Sequence, residues 1–379
     1  MPDIVAKRVS NYELFYDLVF VFATSRLTTL LHQEHLTFGI FLNFIITSIL
    51  VFFIWLGQTF YLNKYGERDR LDIYTNIVAM FSIGNFALNI GKLDYSSTDV
   101  LVYNGLLILS YALIVYQYYM RGKQNGFTQD IRVNILTFLG SMIGFALLTG
   151  VWFILKNIAD ARLIYFIGQY FYAVWLLPIV FPFFFYKYFD ETLINFPHLV
   201  ERCQLITIIS FGETVLGIIQ TYPLTDYPIV GFAFFIGMSM MFITYILQTH
   251  LNINHHQVTR ARGLVASHIL LIIGVNLMTV SIEFFANPHH VETGIILFLT
   301  ALSIYYIGLI STSIYNHKTY LIRQHSLFEY IVWLLIFGII FYIVHHNLIY
   351  LSLTYAIFGY SMVRVGSSQR RRSREIANH

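Results

Sequence analysis

Residues 38–62 read FGIFLNFIITSILVFFIWLGQTFYL, 25 positions without one charged side chain. An α-helix rises 1.5 Å per residue, so this run reaches about 37 Å, enough to cross a hydrocarbon core of about 30 Å. Similar runs lie on both sides of it. Spans are expected near residues 12–31, 37–62, 71–91, 99–120, 133–155, 162–186, 199–221, 226–249, 263–286, 291–315, 326–345 and 347–363. The gaps are short and leave no room for a soluble domain, so residues 1–379 read as a single all-α polytopic membrane domain. Composition agrees: 57% of residues are hydrophobic and 11% charged, against about 25% charged in an ordinary soluble domain.

The first apolar run carries Asp17 and Arg26 and no small-residue cleavage site, so it reads as a transmembrane helix rather than a signal peptide. The lone cysteine, Cys203, excludes internal disulfides and a cysteine-only zinc site. A net charge of +3 gives no reason to expect nucleic acid.

Basic residues sort by side. Nineteen of the 23 Lys and Arg residues fall in alternate gaps, from Lys7 and Arg8 to the run Arg370, Arg371, Arg372 and Arg374. The other side holds Lys92, Lys156 and Arg162, and Arg26 lies within a span. By the positive-inside rule both termini are cytoplasmic, as in a polytopic inner-membrane protein. Residues 364–379 read as a basic cytoplasmic tail, with anionic lipid heads as a second use.

The two halves resemble each other. Glu13 and Glu201 are 188 apart, Gln58-Thr59 and Gln248-Thr249 190 apart, and Gly84 and Gly274 190 apart. This constant offset reads as two parallel six-helix repeats, 12–186 and 199–363, an arrangement found among transporters.

A charge inside hydrocarbon costs several kcal/mol and therefore usually faces a cavity or a partner. Glu13, Asp17, Thr24 and Thr28 fall within about a 60° sector of one helix, turning a narrow polar stripe inward and leaving Phe15 and Phe22 to lipid. Asp17 is the stronger candidate for an ion ligand or proton carrier, with a structural pair as the alternative. Glu213 lies three turns past Glu201 and stays ionised only beside a cation. Arg26 is the expected partner for it. Gln58, Gln248 and Glu283 are secondary candidates, with His198 beside Glu201 and Arg202. The midspan groups Asn76, Asn85, Asn89, Asn104, Gln169, His268 and Asn276 are expected to make helix-to-helix hydrogen bonds. His32, His35, His289, His290, His345 and His346 fall on the outer side and together could bind zinc or copper or sense acid. Each lies in a short turn, however, and no cysteine or tight His-x-x-x-His pair fixes a site, so ordinary interfacial histidines are expected. No metal site and no cofactor are expected.

Glu13-Leu-Phe-Tyr-Asp17-Leu-Val-Phe-Val-Phe-Ala23 resembles the opening signature of the bacterial low temperature requirement A (LtrA) family. His198-Leu-Val-Glu201-Arg202 through Ile208-Ile209-Ser-Phe-Gly212-Glu213 resembles its second signature. The chain departs from the pattern with Cys203-Gln204 where Phe-Gly is usual and with Phe211 before Gly-Glu. The resemblance implies a bacterial multi-pass membrane protein and carries over Glu13, Asp17, Glu201, Arg202 and Glu213. It implies no substrate.

Three functions stay open. The first is transport of a cation, proton or small solute, with Asp17 and Glu213 as the exchanging groups and Arg26 as counter-ion. The second is a membrane-embedded binder or enzyme for a lipid or quinone, using His198, Glu201 and Arg202 near one interface. The third is a sensor without turnover. Depth favours the first, and no nucleophile and base form a recognisable catalytic pair. Membrane lipid and an ion or small molecule are the expected partners.

Overall fold

The computed structural model of the chain describes residues 7–33, 36–66, 69–90, 97–158 and 184–377, with single positions at 160, 162, 176 and 180. Among these the regular structure is helical, apart from one isolated bridge between Ile253 and Asn316. Among the described residues, eleven helices are long and apolar enough to cross a membrane, consistent with a polytopic membrane protein. The expected sixth span, 162–186, lies almost wholly outside the described residues, as do Arg68, Lys92, His35 and Gln169 and the side chain of Asn89.

The helices are α1 Asn11–Leu27, α2 Phe38–Lys64, α3 Arg70–Ile90, α4 Ser97–Asn125, α5 Gln129–Ile158, α6 Phe196–Thr221, α7 Pro228–Thr249, α8 Arg262–Phe284, α9 Val291–Ser311, α10 Gln324–Val344 and α11 Leu348–Ala377. Contacts divide the chain into two units, Met1–Arg202 with Val258–Arg260, and Cys203–Gln257 with Ala261–His379. The first turns of α6, through Arg202, thus belong to the first unit.

In the first unit, α1 begins with a capping box. Ser10 Oγ accepts from the Glu13 amide at 3.3 Å, and Glu13 Oε2 accepts from the Ser10 amide at 2.8 Å. Tyr16, Asp17, Phe20 and Thr24 turn inward, while Phe15, Leu18 and Phe22 are exposed. The polar stripe read from the sequence is therefore the buried face. Polar bonds join the neighbouring helices: Gln58 to Asn76 at 2.6 Å, Gln117 to Thr75 at 2.6 Å and Asn104 to Thr149 at 2.7 Å. Asn85 instead bonds the Phe81 carbonyl of its own helix, at 2.8 Å.

In the second unit, α8 and α9 pack through glycines: a Cβ at Gly274 or Gly308 would run into the backbone of the facing helix. Gly84, the sequence counterpart of Gly274, has only Val19 near its would-be Cβ, at 3.9 Å. The matched glycines do different work in the two units. His268 and Tyr245 tie α8 to α7 at 3.1 Å, and buried Gln248 bonds Asn316 at 2.8 Å and Thr312 at 3.1 Å. Asn276 is buried in α8.

The last helix runs farther than its apolar stretch. α11 continues through the basic segment to Ala377, where a tail was expected from residue 364. Arg372 forms a two-bond pair with Glu329, at 2.6 and 2.9 Å. Arg370 bonds the Leu251 carbonyl and Asn252 Oδ1. Arg374 donates to the Tyr320 hydroxyl at 3.1 Å, which holds that phenol below its ordinary pKa.

Candidate functional site

Two buried rungs join α1 to the start of α6 in the first unit. Glu13 and His198 are each the third residue of their helix, and Asp17 and Arg202 each the seventh. Residues four apart share a helix face, so the two helices present matching side chains one turn apart.

On the deeper rung, Arg202 Nη2 lies 2.5 Å from Asp17 Oδ1 and Nε 3.1 Å from Oδ2. This is the bidentate geometry that a planar guanidinium makes with a carboxylate. Trp55 Nε1 donates to Asp17 Oδ1 at 2.7 Å, and its ring centroid lies 5.7 Å from the Arg202 guanidinium carbon. Asp17 and Arg202 are both 0% exposed. Full burial with three donors on one carboxylate describes a fixed pair.

The outer rung is incompletely bonded. Glu13 Oε1 lies 3.2 Å from His198 Nε2 and 3.7 Å from Arg202 Nη1. All three atoms are buried, and none has a hydrogen-bond partner of adequate alignment. On the other side of the ring, Asn63 Nδ2 lies 2.9 Å from His198 Nδ1. The orientation of the Asn63 amide is fixed twice, by Nδ2 donating to the Asn195 carbonyl and Oδ1 accepting from the Asn195 amide, both at 2.9 Å. An N–H therefore points at Nδ1, which must accept. His198 is accordingly neutral, with its proton on Nε2. Glu13, Asp17, Arg202 and His198 then sum to a formal charge of −1.

A cavity of about 30 Å³ opens against this rung, lined by Lys7, Ser10, Glu13, Asp72 and Asn76 among others. That is room for a water-sized group. Lys7 donates to the Leu62 and Gly66 carbonyls at 2.5 Å. Asp72 accepts from Tyr61 at 2.9 Å and from Arg121 at 3.3 Å.

The sequence expectations are met unevenly. Glu13, Asp17, Arg202 and the secondary candidate His198 come together. Glu201 does not join them, since it points to the exposed side of α6. Arg26, expected as a counter-ion, is exposed near the end of α1 with its guanidinium 5.2 Å from the Phe22 ring centroid; Arg202 holds that role for Asp17. Glu213 is half-buried in the second unit. Glu283 packs near Gly217, whose would-be Cβ lies 3.2 Å from Glu283 Oε1. Gln58 and Gln248 act as bonds between elements of their own units.

Sequence reasoning missed Trp55 and Asn63 as partners. It also missed a second buried pair, in which Lys64 meets Asp130 at 2.7 Å and Tyr65 donates to the same carboxylate at 2.8 Å. Asp72 and Asp130 sit in the first turns of α3 and α5, and an acid at the start of each apolar run was the available signal.

No curated protein matches the chain. The family model described as bacterial low temperature requirement A protein (LtrA) matches residues 8–363, nearly its whole length. Both signature segments, and with them the two rungs, fall inside that match. The chain belongs to the bacterial low temperature requirement A family.

Proposed function

We propose that this protein carries a small solute or cation across the bacterial inner membrane in exchange or symport with protons, and that Glu13 is the group that takes up and releases the proton. The observation that carries the reading is the outer rung: three buried, convergent and unbonded polar atoms in a cluster whose formal charge is −1. At this convergence Glu13 Oε1 is the acceptor, because His198 Nε2 and Arg202 Nη1 are both donors; the Lys7 ammonium lines the adjoining cavity and favours the ionised carboxylate between proton loadings. A metal cation needs several lone pairs, whereas a proton needs one. Asp17 is already held by three donors and serves as the fixed anchor of Arg202. A deep carboxylate is the carrier expected from the sequence; on this reading the role falls to Glu13, one turn nearer the start of α1.

Twelve spans in two parallel six-helix repeats with cytoplasmic termini complete this reading, supported by the constant sequence offset and the sorting of basic residues. On that orientation the cavity beside Glu13 faces the cytoplasm. Glu13 lies only two residues inside the start of α1, a depth that also suits the second reading, a binder for a lipid-type headgroup at one interface.

Purified protein reconstituted in liposomes containing a pH-sensitive dye tests the proposal, with potassium, sodium and a panel of small metabolites as trial solutes. Solute-dependent proton movement is expected from wild type. Glu13→Gln is expected to lose it while keeping solute exchange, because the amide is permanently neutral. Proton coupling that survives Glu13→Gln removes Glu13 from the role. Absence of any solute-dependent flux, from protein shown to be folded, overturns transport and leaves the headgroup binder or a sensor.

A further inference from the structure

At the far end of α10 from the Arg372–Glu329 pair, Glu292 of α9 meets His345 and His346, the two residues that follow α10. Glu292 Oε1 lies 3.2 Å from His345 Nε2 and 3.4 Å from His346 Nε2. The three ligand-type atoms lie within 4.8 Å of one another. Ligands placed tetrahedrally about 2.0–2.1 Å from a zinc ion are separated by about 3.3 Å, so the two measured distances are those of tetrahedral edges.

Hydrogen bonding fixes the chemistry of the central ring. His345 Nδ1 lies 2.5 Å from the Tyr342 carbonyl oxygen. A carbonyl only accepts, so Nδ1 carries a proton, and in the neutral ring Nε2 presents a lone pair. That lone pair faces a carboxylate oxygen, an arrangement that needs a cation between the two atoms or a second proton on the ring. A backbone carbonyl behind the opposite nitrogen is the usual support of a metal-bound histidine. The ring is also held in place: His345 is 6% exposed, and its ring stacks on Tyr342 at 5.4 Å and 25°. His346 and Glu292 are exposed, free to close on an ion arriving from solvent.

We propose that Glu292, His345 and His346 form a site for a zinc-like divalent ion, with three protein ligands and a fourth position open to water or an external ligand. Imidazole and carboxylate donors without thiolate suit Zn²⁺, Cu²⁺ or Ni²⁺ and exclude a Cu⁺ preference. In the orientation read from the basic residues, the site faces outward and samples metal outside the cytoplasm. It ties the start of α9 to the turn between α10 and α11.

The test uses the full-length protein in detergent, stripped with chelator and dialysed against low-micromolar Zn²⁺. Atomic emission is expected to give about one retained zinc per chain, and Co²⁺ in its place should show the intense visible absorption of a tetrahedral site. His345→Ala and Glu292→Ala should each weaken binding more than about tenfold, while His289→Ala/His290→Ala should not. Zinc should raise the melting temperature of wild type and of His289→Ala/His290→Ala, but not that of His345→Ala. The metal-free melting temperatures show whether each variant is folded. Zinc retention unchanged in the His345→Ala/His346→Ala double variant, or the weak absorption of six-coordinate cobalt, overturns the site; an imidazolium–carboxylate pair is then what the geometry records.

Discussion

Asn63 Nδ2 lies 2.9 Å from His198 Nδ1 and thereby fixes which ring nitrogen carries the proton. Asn63→Asp replaces that donor with an acceptor and lets the ring hold two protons. The imidazolium then lies against Glu13 with the new carboxylate behind it, so the nearer charge is positive. Proton loading of Glu13 becomes harder. The pH profile of the proposed flux is expected to move toward acid by on the order of one unit. Lys7 and Asp72, which line the adjoining cavity, are unchanged in the variant and set the same background for both profiles. Profiles that superimpose would show that His198 does not control the carboxylate.

Asp17 and Arg202 are 185 residues apart in sequence and both fully buried. Removing one partner strands a charge in a low-dielectric interior, at a cost of about 3–5 kcal/mol. Asp17→Leu and Arg202→Leu should therefore each lower the unfolding free energy strongly, and the double variant should recover much of the loss. Denaturant titration in mixed micelles, followed by tryptophan fluorescence, provides the cycle. Strictly additive losses would mean that the pair is not coupled. In the same assay Trp55→Phe keeps an aromatic ring against Phe20 but deletes the bond to Asp17, and should cost about 1–3 kcal/mol.

Half of this site was legible in the chain and half was not, for a definite reason. An acid such as Asp17 inside an apolar run stands out because hydrocarbon penalises it, and helical spacing puts Glu13 on the same face. Arg202 is picked out only by the family resemblance and as part of an interfacial set with His198 and Glu201: an arginine at a helix start reads as a topology signal, and nothing in a single sequence says which helix it faces. Arg26 reads from the sequence as the partner of Glu213, because the repeat alignment sets the two opposite each other; it is exposed beside Phe22. Trp55 and Asn63 were invisible because tryptophan and asparagine are ordinary in such helices. The spans themselves were easily read, since length and apolarity are local properties. The continuation of α11 past residue 363 was not, because its basic residues carry a poor hydropathy signal. Their partners, Glu329 and Asn252, lie 43 and 118 residues away.

Close packing of α7 on α11 rests on two glycines. A Cβ at Gly359 would lie 2.7 Å from Met240 Cβ and 2.9 Å from the Gly237 carbonyl oxygen, and one at Gly237 would collide with the Tyr355 ring. Small residues let membrane helices approach closely, and overpacking such a contact costs typically about 1–3 kcal/mol. Gly359→Leu should lower the melting temperature in detergent, whereas Gly338→Leu should not, because only Leu299 Cδ2 approaches its would-be Cβ, at 3.9 Å. Equal losses in the two variants would place the cost in the membrane helices generally rather than in this crossing.

The basic segment of α11 should behave as helix, not as tail. A disordered run containing Arg370, Arg371, Arg372 and Arg374 would be cut by trypsin within moments. Here Arg372 holds Glu329, and Arg370 holds the Leu251 carbonyl and Asn252. Each bond is partly exposed, so an ion pair of this kind contributes only about 0–1 kcal/mol and weakens with salt. The helix should therefore resist trypsin in low salt and become more sensitive as ionic strength rises. Glu329→Gln should reach the high-salt cleavage rate without added salt. Mass spectrometry of timed digests distinguishes these cases. Immediate cleavage at Arg372 in low salt would show that the pairs do not hold the end of α11 in place.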